Sequence, residues 1–339
     1  MTIREAIARA IAGASANEDE MHALMQRLMD GEATPAQIAS WLTALRMKGE
    51  TVDELVGAAR AMRARMVHVP VTLPVVDTCG TGGDGLATFN ISTAAALVAA
   101  GAGAVVAKHG NRAVSGHVGG ADVLEALGVR IDLSAEGVAR CLARAGVGFC
   151  FAPRFHAAMR FAAGPRREIG IRTILNLLGP LANPAGAEIQ LVGVFAPVWT
   201  EPMAAALGRL GVRRALVVHG AEGLDEVSAT GPTRVSEVAG GAVHTYYLRP
   251  EDFGLSAAAG EPPRVTDAAA SAAIIRAVLG GEPGPARDVV LVNAAAVLVV
   301  AGIAADWRDG LARAAAAVDC AGAAGALARL VAASNEEPG

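Results

Sequence analysis

The first part of the chain repeats one helical pattern four times. Four polar residues are each followed three positions later by Glu or Gln: Thr2 by Glu5, Asn17 by Glu20, Thr34 by Gln37 and Thr51 by Glu54. This pairing satisfies the free N–H groups at the start of a helix. Because apolar residues recur at helical spacing between these starts, residues 1 to about 67 are predicted to form a small helical bundle. An apolar face left exposed on this bundle would suit a dimer interface.

From about residue 71 the pattern changes to short apolar segments that alternate with helical ones. Strands are predicted near 74–77, 104–107, 148–151, 189–195 and 214–219, and helices near 92–101, 120–127, 135–145 and 201–210. Later strands near 234–237 and 243–248 are expected to be antiparallel. Such alternation is typical of an α/β fold with a mostly parallel sheet and helices on both faces. Ligands of such sheets bind beyond the carboxyl ends of the strands.

A glycine-rich stretch, DTCGTGGDGLATFNIST over 77–93, follows the first predicted strand and precedes a predicted helix. Glycine lets backbone N–H groups approach a ligand closely, and a helix start adds further donors, so the stretch favours phosphate binding. It matches neither the P-loop nor the GxGxxG fingerprint. A glycine-rich turn without a ligand is the alternative.

A second polar stretch, KHGNRAVSGHVGGADVLEALG over 108–128, follows the next predicted strand and supplies cationic and amide donors. Lys108 is one of only two lysines in a chain whose other basic residues are arginines. A lysine kept in such a chain suggests a need for a compact ammonium group, which arginine does not replace. Drift is the alternative explanation.

Two adjacent carboxylates, Asp225 and Glu226, follow the strand predicted near 214–219. Carboxylate oxygens suit Mg2+, which also keeps sites open for phosphate oxygens. Magnesium sites have no strict spacing code, so the residues alone favour a solvated acidic turn.

Composition narrows the possible functions. The chain has 339 residues, a formal net charge of −4 and no basic run, which argues against nucleic-acid binding. Its four cysteines show no CxxC spacing, so reduced thiols and a cytoplasmic setting are expected. The apolar run Val289 to Ala305 contains Asn293 and barely reaches membrane-spanning length, so a buried helix is predicted.

Six motifs in order and spacing, GTGGDGLATFNIST, KHGNRAVSG, GGADVLEALG, FAPRFHAAMR, RREIGIRTILNLLGPLANPA and GLDEVS, resemble the anthranilate phosphoribosyltransferases of tryptophan biosynthesis. The resemblance covers residues 1 to about 310. It implies a helical domain over 1–70, joined by helices from about 163–182, and an α/β domain over 71–162 and 183–339. The implied fold is of the nucleoside phosphorylase and phosphoribosyltransferase type.

The resemblance also implies roles for individual residues. The implied site for 5-phosphoribosyl 1-diphosphate consists of Gly80, Gly83, Asp84, Thr88, Asn90, Ile91, Ser92, Thr93, Lys108, His109, Gly110, Asn111, Arg112, Ala113, Val114, Ser115, Gly116 and Gly120. The implied anthranilate site consists of Gly80, Asn111, Arg166, His109 and His156. Ser92, Asp225 and Glu226 would hold magnesium, with two ions per subunit.

The implied reaction transfers the phosphoribosyl group from 5-phosphoribosyl 1-diphosphate to the amino group of anthranilate and releases diphosphate. The implied assembly is a homodimer through the N-terminal helices, with no nucleic-acid or membrane partner. Two positions depart from the family pattern, because Gly120 stands where serine is usual and His117 where a basic residue is common. A pyrimidine nucleoside phosphorylase-like enzyme and a non-catalytic nucleic-acid-binding paralogue are the alternatives.

Overall fold

The N-terminal part of the protein is a bundle of four capped helices. The computed structural model describes residues 1–82, 85–113, 118–255 and 260–336. The bundle helices are α1 Ile3–Ile11, α2 Glu18–Met29, α3 Pro35–Lys48 and α4 Val52–Arg63. All four predicted helix starts are confirmed, because each cap side chain accepts from the N–H three residues later and the Glu or Gln there accepts from the N–H of the cap.

The rest of the chain is built on one seven-stranded sheet. Its strands are β1 Val76–Gly80, β2 Val106–Gly110, β3 Val147–Phe151, β4 Ile189–Gly193, β5 Arg214–Gly220, β6 Thr233–Ala239 and β7 Ala242–Leu248. They lie in the order β3-β2-β1-β4-β5-β6-β7. Strands β1 to β5 are parallel to one another, and β6 is antiparallel to its two neighbours, β5 and β7. The predicted α/β class and the antiparallel end of the sheet are confirmed.

Strands β1 and β2 lie further along the chain than hydropathy predicted. The prediction treated Lys108 and His109 as loop residues, yet both lie within β2 and are buried. Buried polar groups explain the shift. Asp77, fully buried in β1, accepts hydrogen bonds from Asn183 Nδ2 at 2.7 Å and from the backbone N–H of His109 at 3.0 Å. Paired in this way, polar residues can continue a central strand that an apolar pattern would end.

Further helices pack against the sheet, against the bundle or against one another. They are α5 Ile91–Gly101, α6 Gly120–Ala126, α7 Ala135–Ala145, α8 Ala152–Phe155, α9 Arg160–Ile169, α10 Ile174–Leu177, α11 Thr200–Arg209, α12 Pro250–Phe253, α13 Ala268–Leu279, α14 Pro285–Val300, α15 Trp307–Asp319 and α16 Gly322–Asn335. The predicted buried helix near 289–305 is α14, whose residues from Val289 to Val300 are all buried. It packs against α5.

Two apolar cores lie in the molecule. The first contains α5, α14 and much of the sheet. The second joins α1 to α4 with α10 and also includes Val192 of β4, Val217 of β5 and Met203 of α11. The helical bundle therefore shares its core with part of the α/β region. The division into a helical domain over 1–70, joined by helices from about 163–182, and one α/β domain over 71–162 and 183–339 stays a prediction.

Cys79, Cys141 and Cys150 are buried free thiols, and Cys320 is an exposed one. Among the residues that the structure describes, no single helix is both long and apolar enough to span a membrane. The pair α15 and α16 reaches that length and composition only when taken together, and it is bent by 64°.

Candidate active site

The carboxyl ends of β1 and β2 open into one large cavity of about 910 Å3. Every candidate residue within the described ranges lines it: Gly80, Thr88, Asn90, Ile91, Ser92, Thr93, Lys108, His109, Gly110, Asn111, Arg112, Ala113, Gly120, His156, Arg166, Asp225 and Glu226. The candidates Gly83, Asp84, Val114, Ser115 and Gly116 lie outside the described residues, as does His117. Segments far apart in the sequence thus meet around a single space large enough for two small ligands.

Two glycines let the loop that carries the acidic pair approach the sheet closely. A Cβ on Gly80 would lie 2.9 Å from Asp225 Oδ2, and a Cβ on Gly193 would lie 1.6 Å from the carbonyl oxygen of Asp225. Gly82 has a φ of +65° and donates its N–H to Asp225 Oδ2 at 3.1 Å. The glycine-rich loop and the acidic loop therefore meet at Asp225.

Lys108 projects from β2 towards the start of α5. Its buried ammonium donates to Ser92 Oγ at 3.0 Å and to the carbonyl oxygen of Thr78. Beside it, Thr93 Oγ1 is buried at the cavity wall and has no hydrogen-bond partner among the described residues. A buried hydroxyl without a partner is costly, so this atom marks a place where a polar ligand group would be accepted.

Two buried histidines also line the cavity. The rings of His109 and His156 lie 5.0 Å apart between centroids. Burial lowers the pKa of His109 to about 4 and that of His156 to about 3, so both are neutral at pH 7. His109 Nδ1 lies 3.0 Å from the carbonyl oxygen of Gly179, which only accepts, so Nδ1 carries the proton and Nε2 is an acceptor.

Both Nε2 atoms are buried without a protein partner in the described part of the chain. Together with Thr93 Oγ1 they make three buried polar atoms in the cavity lining that have no hydrogen-bond partner among the described residues. Since buried polar groups in proteins are normally hydrogen-bonded, the cavity is built to receive a polar ligand.

Arginines from the segment that includes α9 surround the same end of the cavity. Arg166 is half-buried, and burial lowers the pKa of its guanidinium. Arg160, Arg167 and Arg172 also line the cavity, and Arg172 stacks 4.6 Å from the ring centroid of Phe195. Sequence analysis singled out only Arg166. The recurrence of arginine at 160, 166, 167 and 172 was a signal that could have identified the others.

Arg112 is engaged differently from the expectation of a free cation. Its guanidinium donates to Glu125 at 2.6 and 2.8 Å and to Asp122 Oδ1 at 2.9 Å, and it lies 5.7 Å from the ring centroid of Phe151. These carboxylates raise the pKa of Arg112. Because two carboxylates already balance this charge, Arg112 links the end of β2 to α6 and adds little positive potential to the cavity.

Asp225 and Glu226 are half-buried at the mouth of the cavity. Glu226 Oε1 accepts the backbone N–H of Ser92 at 3.1 Å, which ties the acidic loop to the first turn of α5. Among the described residues no group of three or more His, Cys, Asp or Glu side chains gathers as a metal site. Two carboxylates with a nearby hydroxyl instead fit Mg2+, which binds through one or two protein carboxylates together with substrate phosphates.

Sequence comparisons agree with this arrangement. The family model "Glycosyl transferase family, helical bundle domain" matches residues 4–66, and "Glycosyl transferase family, a/b domain" matches residues 72–324. The chain is 56% identical to the anthranilate phosphoribosyltransferase of Moorella thermoacetica over 97% of this chain and 98% of that protein. The chain belongs to the anthranilate phosphoribosyltransferase family.

Solved structures of this family share the fold. The anthranilate phosphoribosyltransferase of Thermus thermophilus matches with a TM-score of 0.90 and 44% identity, covering 98% of this chain and 99% of that one. The Saccharomyces cerevisiae anthranilate phosphoribosyltransferase, solved in complex with PRPP and Mg, matches with a TM-score of 0.87 and 26% identity, covering 98% of this chain and 97% of that one. These matches support the transferase interpretation over the two alternatives, the phosphorylase-like enzyme and the nucleic-acid-binding paralogue.

Proposed function

We propose that this protein transfers the 5-phosphoribosyl group from 5-phosphoribosyl 1-diphosphate to the amino group of anthranilate. The observation that carries the proposal is that two sets of side chains line one cavity, since Lys108 and His109 are neighbours in β2 and neighbouring residues of a strand point to opposite faces. Lys108 donates to Ser92 near the glycine-rich loop and the acidic pair, which we assign to a donor end, and His109 lies against His156, which we assign with Arg166 to an acceptor end. The first end suits a diphosphate and the second suits an aromatic carboxylate.

In the proposed reaction the lone pair of the aromatic amine forms a bond to C1 of the ribose while the bond from C1 to the diphosphate oxygen breaks. Diphosphate leaves with the electron pair, and the amine proton goes to solvent. Lys108 and the N–H groups at the start of α5 would stabilise the charge that develops on the diphosphate. Bound Mg2+, two ions in our proposal, would neutralise part of that charge through Asp225, Glu226 and Ser92.

At the acceptor end, Arg166 would hold the carboxylate of anthranilate, since a guanidinium matches a carboxylate in shape and charge. Asn111 and the backbone at Gly80 complete the proposed contacts. His109 and His156 contact the substrate without acting as strong bases, because burial keeps their pKa values near 4 and 3. An aromatic amine is already neutral at pH 7 and needs no strong base.

We further propose a cytoplasmic homodimer that forms through the N-terminal bundle. Ile11 and Met47 lie at the ends of α1 and α3 and are 75% and 83% exposed. Such exposed apolar side chains suit an interface. Light scattering at micromolar concentration should give twice the chain mass of 34.2 kDa, and a strict monomer would contradict this part of the proposal.

The activity is tested by following the loss of anthranilate fluorescence in the presence of 5-phosphoribosyl 1-diphosphate and Mg2+. We expect turnover that depends on all three components, with diphosphate released in equal amount. Phosphate-dependent cleavage of pyrimidine nucleosides without anthranilate turnover would overturn the proposal.

A further inference from the structure

The buried helix α14 carries one amide near its centre. Asn293 lies in α14 and is 0% exposed, between neighbours that are all buried and apolar. Its side chain leaves the helix to contact a single residue of the acidic loop. Oδ1 accepts the backbone N–H of Val227 at 2.9 Å, and Nδ2 donates to the carbonyl oxygen of Val227 at 2.8 Å. A second donation from Nδ2 reaches the Val289 carbonyl oxygen at 2.8 Å.

These contacts fix both polar groups of one peptide residue. Val227 follows Glu226 directly, so holding its N–H and its carbonyl fixes the backbone from which the Glu226 side chain projects. The bond from Nδ2 to Val289, one turn earlier in α14, in turn fixes the orientation of the amide. Both the oxygen and the nitrogen of the amide are therefore hydrogen-bonded. Exchanging them would place the nitrogen against the N–H of Val227 and the oxygen against the carbonyl oxygens of Val227 and Val289.

The contact also links the two elements that supply the proposed metal ligands. Asn293 lies on α14, which packs against α5, and α5 carries Ser92 in its first turn. Glu226 Oε1 accepts the N–H of Ser92 at 3.1 Å. One helix thus supports Ser92 through packing and Glu226 through the Asn293 amide.

An apolar residue at this position would leave the N–H and carbonyl of Val227 without these partners in a buried place. The loop would then move to satisfy them, and the carboxylate of Glu226 would move with it. Groups that orient metal ligands typically change metal affinity by about ten- to a hundredfold when they are removed.

We infer that Asn293 is a positioning residue that holds the backbone at Val227 so that Glu226 is placed to bind magnesium with the substrate diphosphate. This inference rests on the proposed function, since it takes Asp225 and Glu226 as the metal-binding pair. Asn293 does not line the cavity, so its effect should appear in the magnesium requirement and not in anthranilate binding.

The experiment compares Asn293→Leu, which removes all three hydrogen bonds, and the milder Asn293→Ser, with Val297→Ala as a matched control. Val297 is equally buried and lies one turn further along α14, so its truncation lowers stability without removing a hydrogen bond. Two quantities are measured for each protein. One is the Mg2+ concentration that gives half-maximal rate. The other, without turnover, is the Mg2+ concentration needed for inorganic diphosphate to raise the melting temperature.

We expect both Mg2+ concentrations to rise about tenfold in Asn293→Leu and by a smaller factor in Asn293→Ser, while the KM for anthranilate stays within about twofold. Val297→Ala should lower the melting temperature and leave both Mg2+ concentrations unchanged. If Asn293→Leu does not fold, Asn293→Ser decides the matter. Variants that lose melting temperature but keep the parent Mg2+ requirement would show that Asn293 only stabilises the fold, which overturns the inference.

A double-mutant comparison separates this inference from the function on which it rests. In a Glu226→Gln background, Asn293→Ser should add little to the Mg2+ requirement. Asn293 acts through Glu226 in this inference, and the effects of two mutations coupled in this way are not additive. Full additivity would overturn the positioning role while leaving the metal assignment in place. If Glu226→Gln itself leaves the Mg2+ requirement unchanged, the proposed metal assignment fails, and the inference fails with it.

Discussion

The two ends of the cavity differ in how their polar groups are engaged within the protein. At the donor end, Gly82 is hydrogen-bonded to Asp225, Ser92 to Glu226, and Lys108 to Ser92, and only the hydroxyl of Thr93 has no partner among the described residues there. At the acceptor end, the Nε2 atoms of both histidines are buried with no partner among the described residues.

This contrast shows two ways to prepare a site. The donor end keeps its charges in a network that highly charged ligands, the diphosphate and magnesium, must rearrange. The acceptor end holds buried, unsatisfied nitrogen atoms for a small aromatic ligand whose single carboxylate is bound by Arg166 in our proposal. Mutations at the donor end should therefore affect the chemical step, and those at the acceptor end should affect binding.

The largest effect should come from removing the acidic pair. The double variant Asp225→Asn, Glu226→Gln loses the carboxylates that hold Mg2+ in our proposal, so the charge on the departing diphosphate is not compensated in the transition state. The kcat should therefore fall about 10²- to 10³-fold, far more than the KM for anthranilate rises. Steady-state kinetics at saturating Mg2+ measure this. The adjacent pair Glu251 and Asp252 in α12 supplies a control of the same chemistry away from the cavity. An unchanged kcat would contradict the metal assignment.

Arg166→Ala should act on the other end alone. A charge-assisted contact to a carboxylate contributes about 1.5 to 3 kcal/mol, so the KM for anthranilate should rise roughly ten- to a hundredfold. The KM for 5-phosphoribosyl 1-diphosphate should change little, and aniline, which lacks the carboxylate, should lose little further activity. Arg154→Ala removes an exposed arginine outside the cavity and is the control. Weakened donor binding with unchanged anthranilate binding would contradict the separation of the two ends.

The neutral histidines should make stability depend on pH. Their folded pKa values of about 4 and 3 lie below the ordinary value of 6.5, so the unfolded chain binds more protons between these limits. The stability that the two neutral histidines contribute is therefore fully present above pH 6.5, and it is lost as the pH falls towards 4. The unfolding free energy of the parent protein should therefore be larger at pH 7 than at pH 5. His156→Gln should make this difference smaller by about 1 to 2 kcal/mol.

Denaturant unfolding at the two pH values measures this difference. The exposed His244, replaced by Gln, serves as the control. A difference that is the same in parent and His156→Gln would show that His156 is not held neutral.

The smallest effect concerns the departure at Gly120. A Cβ there would lie 3.6 Å from Thr93 Oγ1 and 3.8 Å from Lys108 Cε, which are ordinary contact distances. Gly120→Ser should therefore fold and lower the KM for 5-phosphoribosyl 1-diphosphate by about two- to fivefold, through one added hydroxyl hydrogen bond. At Gly119 a Cβ would lie 2.3 Å from the backbone nitrogen of Ala113, so Gly119→Ser should be destabilised instead. A raised KM in Gly120→Ser would show that the added hydroxyl is not used.

The helix starts could be predicted from the sequence because their causes are local. Each of Thr2, Asn17, Thr34 and Thr51 bonds to a residue only three positions away. The strands were harder to place where burial depends on distant partners. Nothing near Asp77 in the sequence shows that Asn183 will pair with it inside the sheet.

The candidate site shows the same limit. Motifs identified many of the residues that line the cavity. They did not show that Arg112 pairs with Glu125, or that Arg160, Arg167 and Arg172 also line the cavity. Asn293 was visible in the sequence only as an interruption of an apolar run. Its bonds to Val227 depend on the packing of α14 behind the acidic loop, which no local pattern encodes.

The pairing of β1 with β4 has a consequence for the way the chain is made. Val76 lies beside Ile189, so the middle of the sheet cannot close until β4 has left the ribosome. At about 5 to 20 residues per second, β1 and β2 wait for several seconds with one edge unpaired. During that time the helical bundle can complete its local hydrogen bonds, and β2 can pair with β3, but β1 still lacks its partner β4. The nascent chain should therefore depend on chaperones most strongly between the synthesis of β2 and that of β4.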